Sequence, residues 1–191
     1  ATFLSALAAY GFAKLRFRGR DTLFLLYLSC MMIPPQIIFV PKFIMFHWLG
    51  IYNTHWALIL PGLFTIFGVF LLRQFFMTVP VSLLHSAKID GASELRIYLQ
   101  IVLPLSKPII ATVGVLVFLA VWSDFLGPLL YLNDERDYTL SLGLYAFMQT
   151  HYIMWEKLMA ASAMFTLPII VLFFFAQRQF IEGIKLTGIK G

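Results

Sequence analysis

The stretch PVSLLHSAKIDGASELRIYLQIVLPLSKP, residues 80–108, is the longest part of the chain that is too polar to lie within lipid. Apolar runs flank it on both sides. Most connections between helices need only about 4–6 residues, so a polar segment of this length is more than a connection. We therefore expect residues 80–108 to form an element with a structure of its own.

Local signals divide the first part of this stretch into a helix and a glycine turn. Pro80 favours a helix start, and Ser82 is the predicted N-cap, because its hydroxyl can accept a hydrogen bond from a free amide of the first turn. The pair Asp90-Gly91 predicts the end of this helix, since glycine takes the left-handed conformation of a C-terminal cap without strain. The pattern indicates a short helix that ends in an elbow.

A second helix is predicted directly after the elbow. Ser93 can cap its N-terminus, and Glu94 lies in its first turn, where the helix dipole favours an anion. The pair Leu103-Pro104 is predicted to end this second helix, because proline interrupts the backbone hydrogen bonds. Residues 80–108 are therefore expected to form a helix–glycine–helix unit.

The composition indicates an integral membrane protein built from helices. Of the 191 residues, 61% are hydrophobic and 12% are charged, whereas soluble domains carry about 25% charged residues. The apolar runs are continuous rather than alternating, which is typical of transmembrane helices and not of barrel strands. The formal charge of +5 does not indicate nucleic acid as a partner, because the basic residues fall between the apolar runs. Cys30 is the only cysteine, so no internal disulfide forms.

The apolar runs predict an all-α polytopic bundle in a single transmembrane domain, residues 1–191. Predicted spans cover residues 1–15 (partial), 22–47, 56–76, 109–132 and 157–180, with a loop at 80–108 and an external loop at 133–156. Residues 1–15 extend over about 20 Å, less than the ~30 Å hydrocarbon core. We expect this run to be the second half of a span, with the N-terminal span or spans missing.

Basic residues are distributed unequally between the two sides of these spans. Eleven lie on the side of residues 80–108: Lys14, Arg16, Arg18, Arg20, Arg73, Lys88, Arg96, Lys107, Arg178, Lys185 and Lys190. Three lie on the other side: Lys42, Arg136 and Lys157. Loops rich in Lys and Arg face the cytoplasm, so residues 80–108 and the C-terminus are predicted to be cytoplasmic.

Asp124 is the only acidic residue well inside a predicted span. A carboxylate is costly there, which makes it a candidate functional residue. It could line a polar path together with Trp122 and Phe125, because aromatic rings stack on sugars and carboxylates accept hydroxyl hydrogens. Alternatively, it could bond a neighbouring helix or the backbone freed by Gly127-Pro128 and serve packing alone.

Residues 85–92, HSAKIDGA, and 101–104, IVLP, resemble the cytoplasmic EAA loop of permease subunits from bacterial binding-protein-dependent ABC importers. That loop reads approximately E-A-A-x-x-D-G-A, followed after a spacer by I-x-L-P. The matching positions are Asp90, Gly91, Ala92, Ile101, Leu103 and Pro104. His85 replaces the signature Glu and Ser86 replaces the first Ala, so His85 cannot make the family's carboxylate contact to the ATPase.

The resemblance implies the transmembrane subunit of a type I importer in the bacterial inner membrane, of the carbohydrate-uptake, maltose-transporter-like type. Its substrate would be a sugar or related polyol, and its partners two ATPase subunits, a second homologous permease subunit, an external solute-binding protein and the lipid bilayer. ATP and Mg²⁺ would be bound by the ATPase. The residues implied in ATPase coupling are Ser82, His85, Ser86, Ala87, Asp90, Gly91 and Ala92.

Catalytic motifs are missing from the sequence. It contains no phosphate-cradling glycine loop with Lys and Ser or Thr, no His-Glu-x-x-His and no Gly-x-Ser-x-Gly. We therefore expect no enzyme activity, cofactor or metal site in this chain. An ion-coupled secondary transporter is the alternative. It would require several ionisable residues within the spans and inverted repeats.

Overall fold

The computed structural model describes residues 1–149 and 154–188, and its regular elements in these ranges are all helical. The α-helices are α1 Thr2–Lys14, α2 Arg20–Ser29, α3 Phe39–Trp48, α4 Trp56–Ile59, α5 Ile66–Thr78, α6 Val81–Ile89, α7 Glu94–Ile97, α8 Leu103–Leu105, α9 Lys107–Trp122, α10 Leu126–Tyr131, α11 Leu140–Gln149 and α12 Trp155–Gly188. Short 3₁₀ segments cover Cys30–Met32, Pro35–Ile38, Pro61–Leu63 and Glu135–Asp137, and a π-helical segment covers Tyr98–Val102. The predicted all-α class is confirmed.

The chain forms two compact units, and each is described by itself. Unit 1 contains Ala1–Ile33, Leu63–Val117 and the chain from Ala176 onward. Unit 2 contains Pro34–Gly62 and Phe118–Phe175. The assignment of residues 1–191 to one domain stays a prediction.

The core of unit 1 forms where α1 packs against α5. Ala6 and Ala9 of α1 are buried in one cluster with Val69 and Leu72 of α5. Small side chains on α1 let the two helix backbones approach closely, as is common between helices in membranes. Ser5 adds a polar contact, because its hydroxyl accepts a hydrogen bond from the Thr65 amide over 3.2 Å.

Residues 94–105 form one continuous helical rod whose middle is π-helical. Ile97, Tyr98 and Val102 are fully buried in the core of unit 1. The predicted helix end at Leu103-Pro104 is wrong by two residues, since the rod continues to Leu105 and turns by 81° at Ser106. Pro104 is the second residue of α8 and lies inside this rod, where it has no amide to donate to the preceding turn.

The core of unit 2 is built around Tyr131. Its ring packs edge-on against Phe46 with 4.9 Å between centroids, and its hydroxyl donates to the Phe39 carbonyl over 3.3 Å. Asn53 joins the turn that follows α3 to the residues after α10. Its side-chain oxygen accepts hydrogen bonds from the backbone amides of Asn133 and Asp134, at 2.7 and 3.3 Å. Asn53 holds a positive φ of 55°, which asparagine tolerates better than most residues.

Two helical stretches in the described part of the chain are long and apolar enough to cross a membrane, Pro61–Thr78 and Trp155–Gln177. The number rises to four if two interrupted helix pairs each count as one span. These pairs are Arg20–Met32 with Pro35–Trp48, and Glu94–Leu105 with Lys107–Trp122. The predicted span boundaries stay predictions, and residues 109–132 contain a helix break after Trp122.

Candidate functional site

Helix α6 begins two residues earlier than the sequence predicted. Pro80, with φ −58° and ψ 130°, is the last residue outside the helix, and Val81 is the first within it. The prediction of Ser82 as N-cap is wrong, because the fixed φ of Pro80 starts the helix before Ser82 is reached. Ser82 instead lies in the first turn, where its carbonyl accepts a hydrogen bond from the Ser86 hydroxyl over 3.1 Å.

The predicted glycine elbow is confirmed. Gly91 has φ +79°, and the chain closes α6 with two hydrogen bonds typical of a Schellman cap. The Ala92 amide donates to the Ala87 carbonyl over 2.9 Å, and the Gly91 amide donates to the Lys88 carbonyl over 3.0 Å. These bonds fix the direction in which the chain leaves α6, so that α6 and the next helix form a rigid pair.

Ser93 caps the second helix, as predicted, by accepting a hydrogen bond from the Arg96 amide over 3.3 Å. Glu94 follows and joins three elements. One carboxylate oxygen pairs with Lys88 of α6 at 2.5 Å, and the other accepts a hydrogen bond from the Tyr10 hydroxyl of α1 at 2.9 Å. The hydrogen bond from Lys88 holds the pKa of the Glu94 carboxyl below its usual range, with the Tyr10 bond acting in the same direction.

Helix α6 has one anchored side and one exposed side. Leu84 is buried in the core of unit 1, and Ala87 packs partly against the same core. Ser82, His85 and Ser86 are exposed and share the opposite side at helical spacings of three and four. The structure thus brings the residues implied in coupling onto one short helix and its cap, with the polar ones facing outward.

A cavity of about 740 Å³ lies beside α6 in unit 1. The charged or titratable side chains among its lining are Tyr10, Lys14, Arg16, Arg20, His85, Lys88 and Glu94. Cations outnumber the one carboxylate in this set. The cavity that His85 lines is therefore basic.

Asp124 lies in the break between α9 and α10 rather than inside a helix. Its carboxylate Oδ1 accepts a hydrogen bond from the Gly127 amide over 3.2 Å, and its backbone carbonyl accepts one from the Ser141 hydroxyl. The backbone contact at Gly127 is the one that the packing interpretation anticipated. The Asp124 side chain is also exposed, and it is therefore accessible to a solute.

The two aromatic neighbours of Asp124 are held by packing within unit 2. The Trp122 indole donates to the Phe165 carbonyl over 3.0 Å. Phe125 meets Tyr145 edge-on, with 5.1 Å between ring centroids. The structure thus fixes both rings beside Asp124, and their part in a solute pathway stays a prediction.

Sequence reasoning missed the contacts of Glu94. Lys88 and Glu94 are both visible in the sequence, but they belong to different helices, and only the elbow at Gly91 brings them together. Tyr10 lies 84 residues before Glu94, and no local pattern links the two. No group of three or more His, Cys, Asp or Glu that could hold a metal occurs within residues 1–149 and 154–188.

Comparison with known proteins relates nearly the whole chain to transport permeases. The family described as "Binding-protein-dependent transport system inner membrane component" matches residues 1–185. The probable ABC transporter permease protein YurM of Bacillus subtilis is 35% identical over 191 residues, covering 99% of this chain and 64% of YurM. The arabinooligosaccharides transport system permease protein AraQ of Halalkalibacterium halodurans is 37% identical, covering 98% of this chain and 67% of AraQ. The chain thus spans about two thirds of these relatives.

Two further comparisons agree. The maltose/maltodextrin transport system permease protein MalG of Vibrio vulnificus is 34% identical, covering 98% of this chain and 66% of MalG. A solved bacterial ABC transporter, described as involved in the import of the acidic polysaccharide alginate, matches with a TM-score of 0.77 and 22% identity, covering 93% of this chain and 70% of its own. That match confirms the predicted helical bundle of type I importer permeases. The chain belongs to the binding-protein-dependent transport system inner membrane components, the permease subunits of ABC importers, as the resemblance of residues 80–108 predicted.

Proposed function

We propose that this chain is the transmembrane subunit of an ATP-driven importer for a sugar, an oligosaccharide or a related polyol. Family membership supports the importer, and the printed functions of AraQ and MalG support the carbohydrate class. The observation that carries the mechanism is the construction of α6. One side of this helix is anchored in the core, the other is exposed, and a glycine cap fixes its exit.

In this proposal α6 is the helix through which a partner ATPase acts on the membrane-spanning part. The exposed side, with Ser82, His85 and Ser86, docks on the ATPase in the cytoplasm. Closure of an ATPase dimer around ATP and Mg²⁺ then displaces α6 together with its cap at Asp90, Gly91 and Ala92. Because Leu84 is packed in the core of unit 1, the displacement is passed to the helices around it. Coupling of this kind needs an element with two arrangements that both sites bias.

The proposed assembly contains this chain, a second homologous permease subunit, two ATPase subunits and an external solute-binding protein. It lies in the bacterial inner membrane, with residues 80–108 and the C-terminus in the cytoplasm. The solute pathway passes Trp122, Asp124 and Phe125, where fixed aromatic rings flank an exposed carboxylate. Stacking on the rings and hydrogen bonds to the carboxylate suit a solute rich in hydroxyl groups.

A substitution at the elbow tests the proposal. In the purified complex, Gly91→Val should abolish ATP-dependent solute uptake but leave membrane insertion intact, because valine resists a φ of +79°. Gly143→Val is the matched control, since Gly143 lies in α11 without a positive φ and a Cβ added there has no atom within 4 Å. Normal uptake by Gly91→Val, or purification without any ATP-hydrolysing subunit in mild detergent, would contradict the proposed function.

A further inference from the structure

The exposed side of α6 carries an apolar residue next to the elbow. Ile89 continues the stripe of Ser82, His85 and Ser86 by one further turn and is 86% exposed. An isoleucine this exposed, on a helix outside the predicted spans, leaves apolar area in water. A helix that docks in a groove presents anchors at such helical spacings, so Ile89 marks the end of a contact surface.

The position that carries Glu in the family pattern has no carboxylate here and lies beside a basic cavity. The pattern has Glu at the position of His85, and a carboxylate there would suit a basic partner. The cavity that His85 lines contains four Lys and Arg, including Lys88, against one carboxylate, Glu94. The other three cations are Lys14, Arg16 and Arg20.

Local ion pairs offset only part of this charge. Lys88 pairs with Glu94, and Arg20 pairs with Asp21. His85 and Arg16 have no ion pair within the described ranges of the chain, and both are exposed. A basic group that approached His85 from the side of the cavity would be repelled by these cations, whereas an acidic group would be attracted. The exposed Asp90 carboxylate lies at the elbow and does not line this cavity.

We propose that the ATPase surface receiving α6 carries an acidic side chain opposite His85 and an apolar pocket that takes Ile89. This inference rests on the proposed function and adds the chemistry of the partner. Ile89 supplies the anchor. The lack of a carboxylate at His85, together with the cations beside it, discriminates between ATPases, because a surface built for Glu at this position places a cation there. The basic face, which consists of Lys14, Arg16, Arg20 and Lys88 beside His85, thus favours an ATPase whose groove is acidic at this position.

Anionic lipid is the alternative binding partner for a basic face next to a membrane. The arrangement of α6 favours the protein partner. Lipid headgroups need only clustered cations, whereas the stripe combines a histidine, two serines and an exposed isoleucine at fixed spacing. The experiments must therefore distinguish lipid binding from docking on the ATPase.

The first experiment identifies what faces His85. The ATPase subunit that purifies with this chain is identified by mass spectrometry and then produced together with it. A photo-crosslinking amino acid in place of His85 is activated in the complex, and the linked ATPase peptide is sequenced. The expected peptide contains Asp or Glu at the linked position. A peptide with Lys or Arg there and no acid would overturn the proposal.

The second experiment measures the sign of the interaction in the same complex. His85→Glu should weaken ATPase binding by about tenfold or more, His85→Lys should keep it within about threefold, and a Lys in place of the linked acid should restore binding of His85→Glu. Arg136→Glu, on the predicted external side, controls for net charge. Equal or tighter binding of His85→Glu contradicts the proposal, even where the wild-type pair assembles and the proposed function stands.

A third measurement covers Ile89 and lipid. Ile89→Asp should reduce ATPase binding, whereas Ile89→Leu should retain it. The binding constants are compared in nanodiscs of neutral lipid and of lipid with an anionic headgroup. If the binding constant changes with the lipid charge but not with substitutions of His85 or Ile89, the basic face binds the membrane. That result overturns the proposal.

Discussion

Tyr10 and Glu94 are joined by a hydrogen bond across 84 residues, with the Tyr10 hydroxyl donating to Glu94 Oε2 over 2.9 Å. The Tyr10 ring is 4% exposed and packs against the buried Tyr98 ring, with 5.0 Å between centroids. Since Glu94 also pairs with Lys88, one carboxylate connects α1 with both limbs of the elbow. The elbow is therefore held to the core by a polar contact as well as by the burial of Leu84.

Removal of the Tyr10 hydroxyl should loosen this attachment. We expect Tyr10→Phe to lower the free energy of unfolding by about 1 kcal/mol, because the hydrogen bond to Glu94 is lost while the buried ring remains. Tyr98→Phe is the matched control, since the buried Tyr98 hydroxyl has no hydrogen-bond partner in the described chain. Thermal unfolding in detergent compares the two variants. If Tyr98→Phe lowered the stability as much as Tyr10→Phe, the stabilising role of the hydrogen bond from Tyr10 to Glu94 would be contradicted.

The Lys88–Glu94 pair should make the stability of the elbow depend on pH. The pKa of Glu94 is lowered in the folded protein, chiefly by the hydrogen bond from Lys88, so the pair stabilises the fold above the ordinary glutamate pKa of about 4.3. This contribution should disappear as the pH falls through the lower folded pKa. Both side chains are about half exposed, at 50% and 45%, so we expect less than about 1 kcal/mol at neutral pH.

The difference in unfolding free energy between the wild type and Lys88→Met measures this contribution from pH 7 down to about pH 3. It should shrink steadily below the ordinary glutamate pKa. In a Glu94→Gln background, the same Lys88→Met comparison should give no such pH dependence. A difference that stays constant or grows toward low pH would show that Lys88 acts through something other than Glu94.

Sequence patterns predicted the elbow where its chemistry is local. The end of α6 at Asp90-Gly91 and the cap at Ser93 depend on residues within four positions, so the sequence contains the information. The predicted cap at Ser82 failed because two local signals competed, and the fixed φ of Pro80 set the helix start first. Both signals were visible, but their relative strength was not.

Features that depend on distant residues could not be predicted in this way. The contact of Tyr10 with Glu94 arises from the packing of α1. No local pattern in the sequence indicates the π-helical segment Tyr98–Val102, whose residues Tyr98 and Val102 are buried in the same core. Asp124 was assigned to the interior of a span because its neighbours are apolar. The structure shows a helix break there, in which the carboxylate bonds the Gly127 amide.

The close packing of Gly68 against Thr65 and Val113 should make this position intolerant of a larger residue. A Cβ on Gly68 would clash with Thr65 Oγ1 and lie 3.2 Å from Val113 Cγ1. We expect Gly68→Ala to cost about 1–3 kcal/mol through overpacking and disturbance of the Ser5–Thr65 contact. Gly11→Ala is the control, because nothing lies within 4 Å of its added methyl and alanine favours the helix. Equal melting temperatures of the two variants would argue against close packing at Gly68.

Two substitutions of Asp124 distinguish its two possible roles, contact with the solute and packing against the backbone. Asp124→Asn keeps an acceptor for the Gly127 amide but removes the negative charge, whereas Asp124→Ala removes both. Loss of the backbone contact should cost Asp124→Ala about 0.5–2 kcal/mol of stability, by analogy with helix caps, while Asp124→Asn stays within about 0.5 kcal/mol of the wild type.

Solute uptake by the assembled transporter then decides between the roles. If the exposed carboxylate meets the solute, as proposed, Asp124→Asn should reduce uptake about tenfold without a change in melting temperature, because a charged hydrogen bond contributes about 1.5–3 kcal/mol. Ser141→Ala is a suitable control, since it removes the contact to the Asp124 backbone carbonyl and leaves the carboxylate in place. Full uptake by Asp124→Asn would assign the carboxylate to the Gly127 contact alone, because that substitution preserves the backbone contact and removes only the charge.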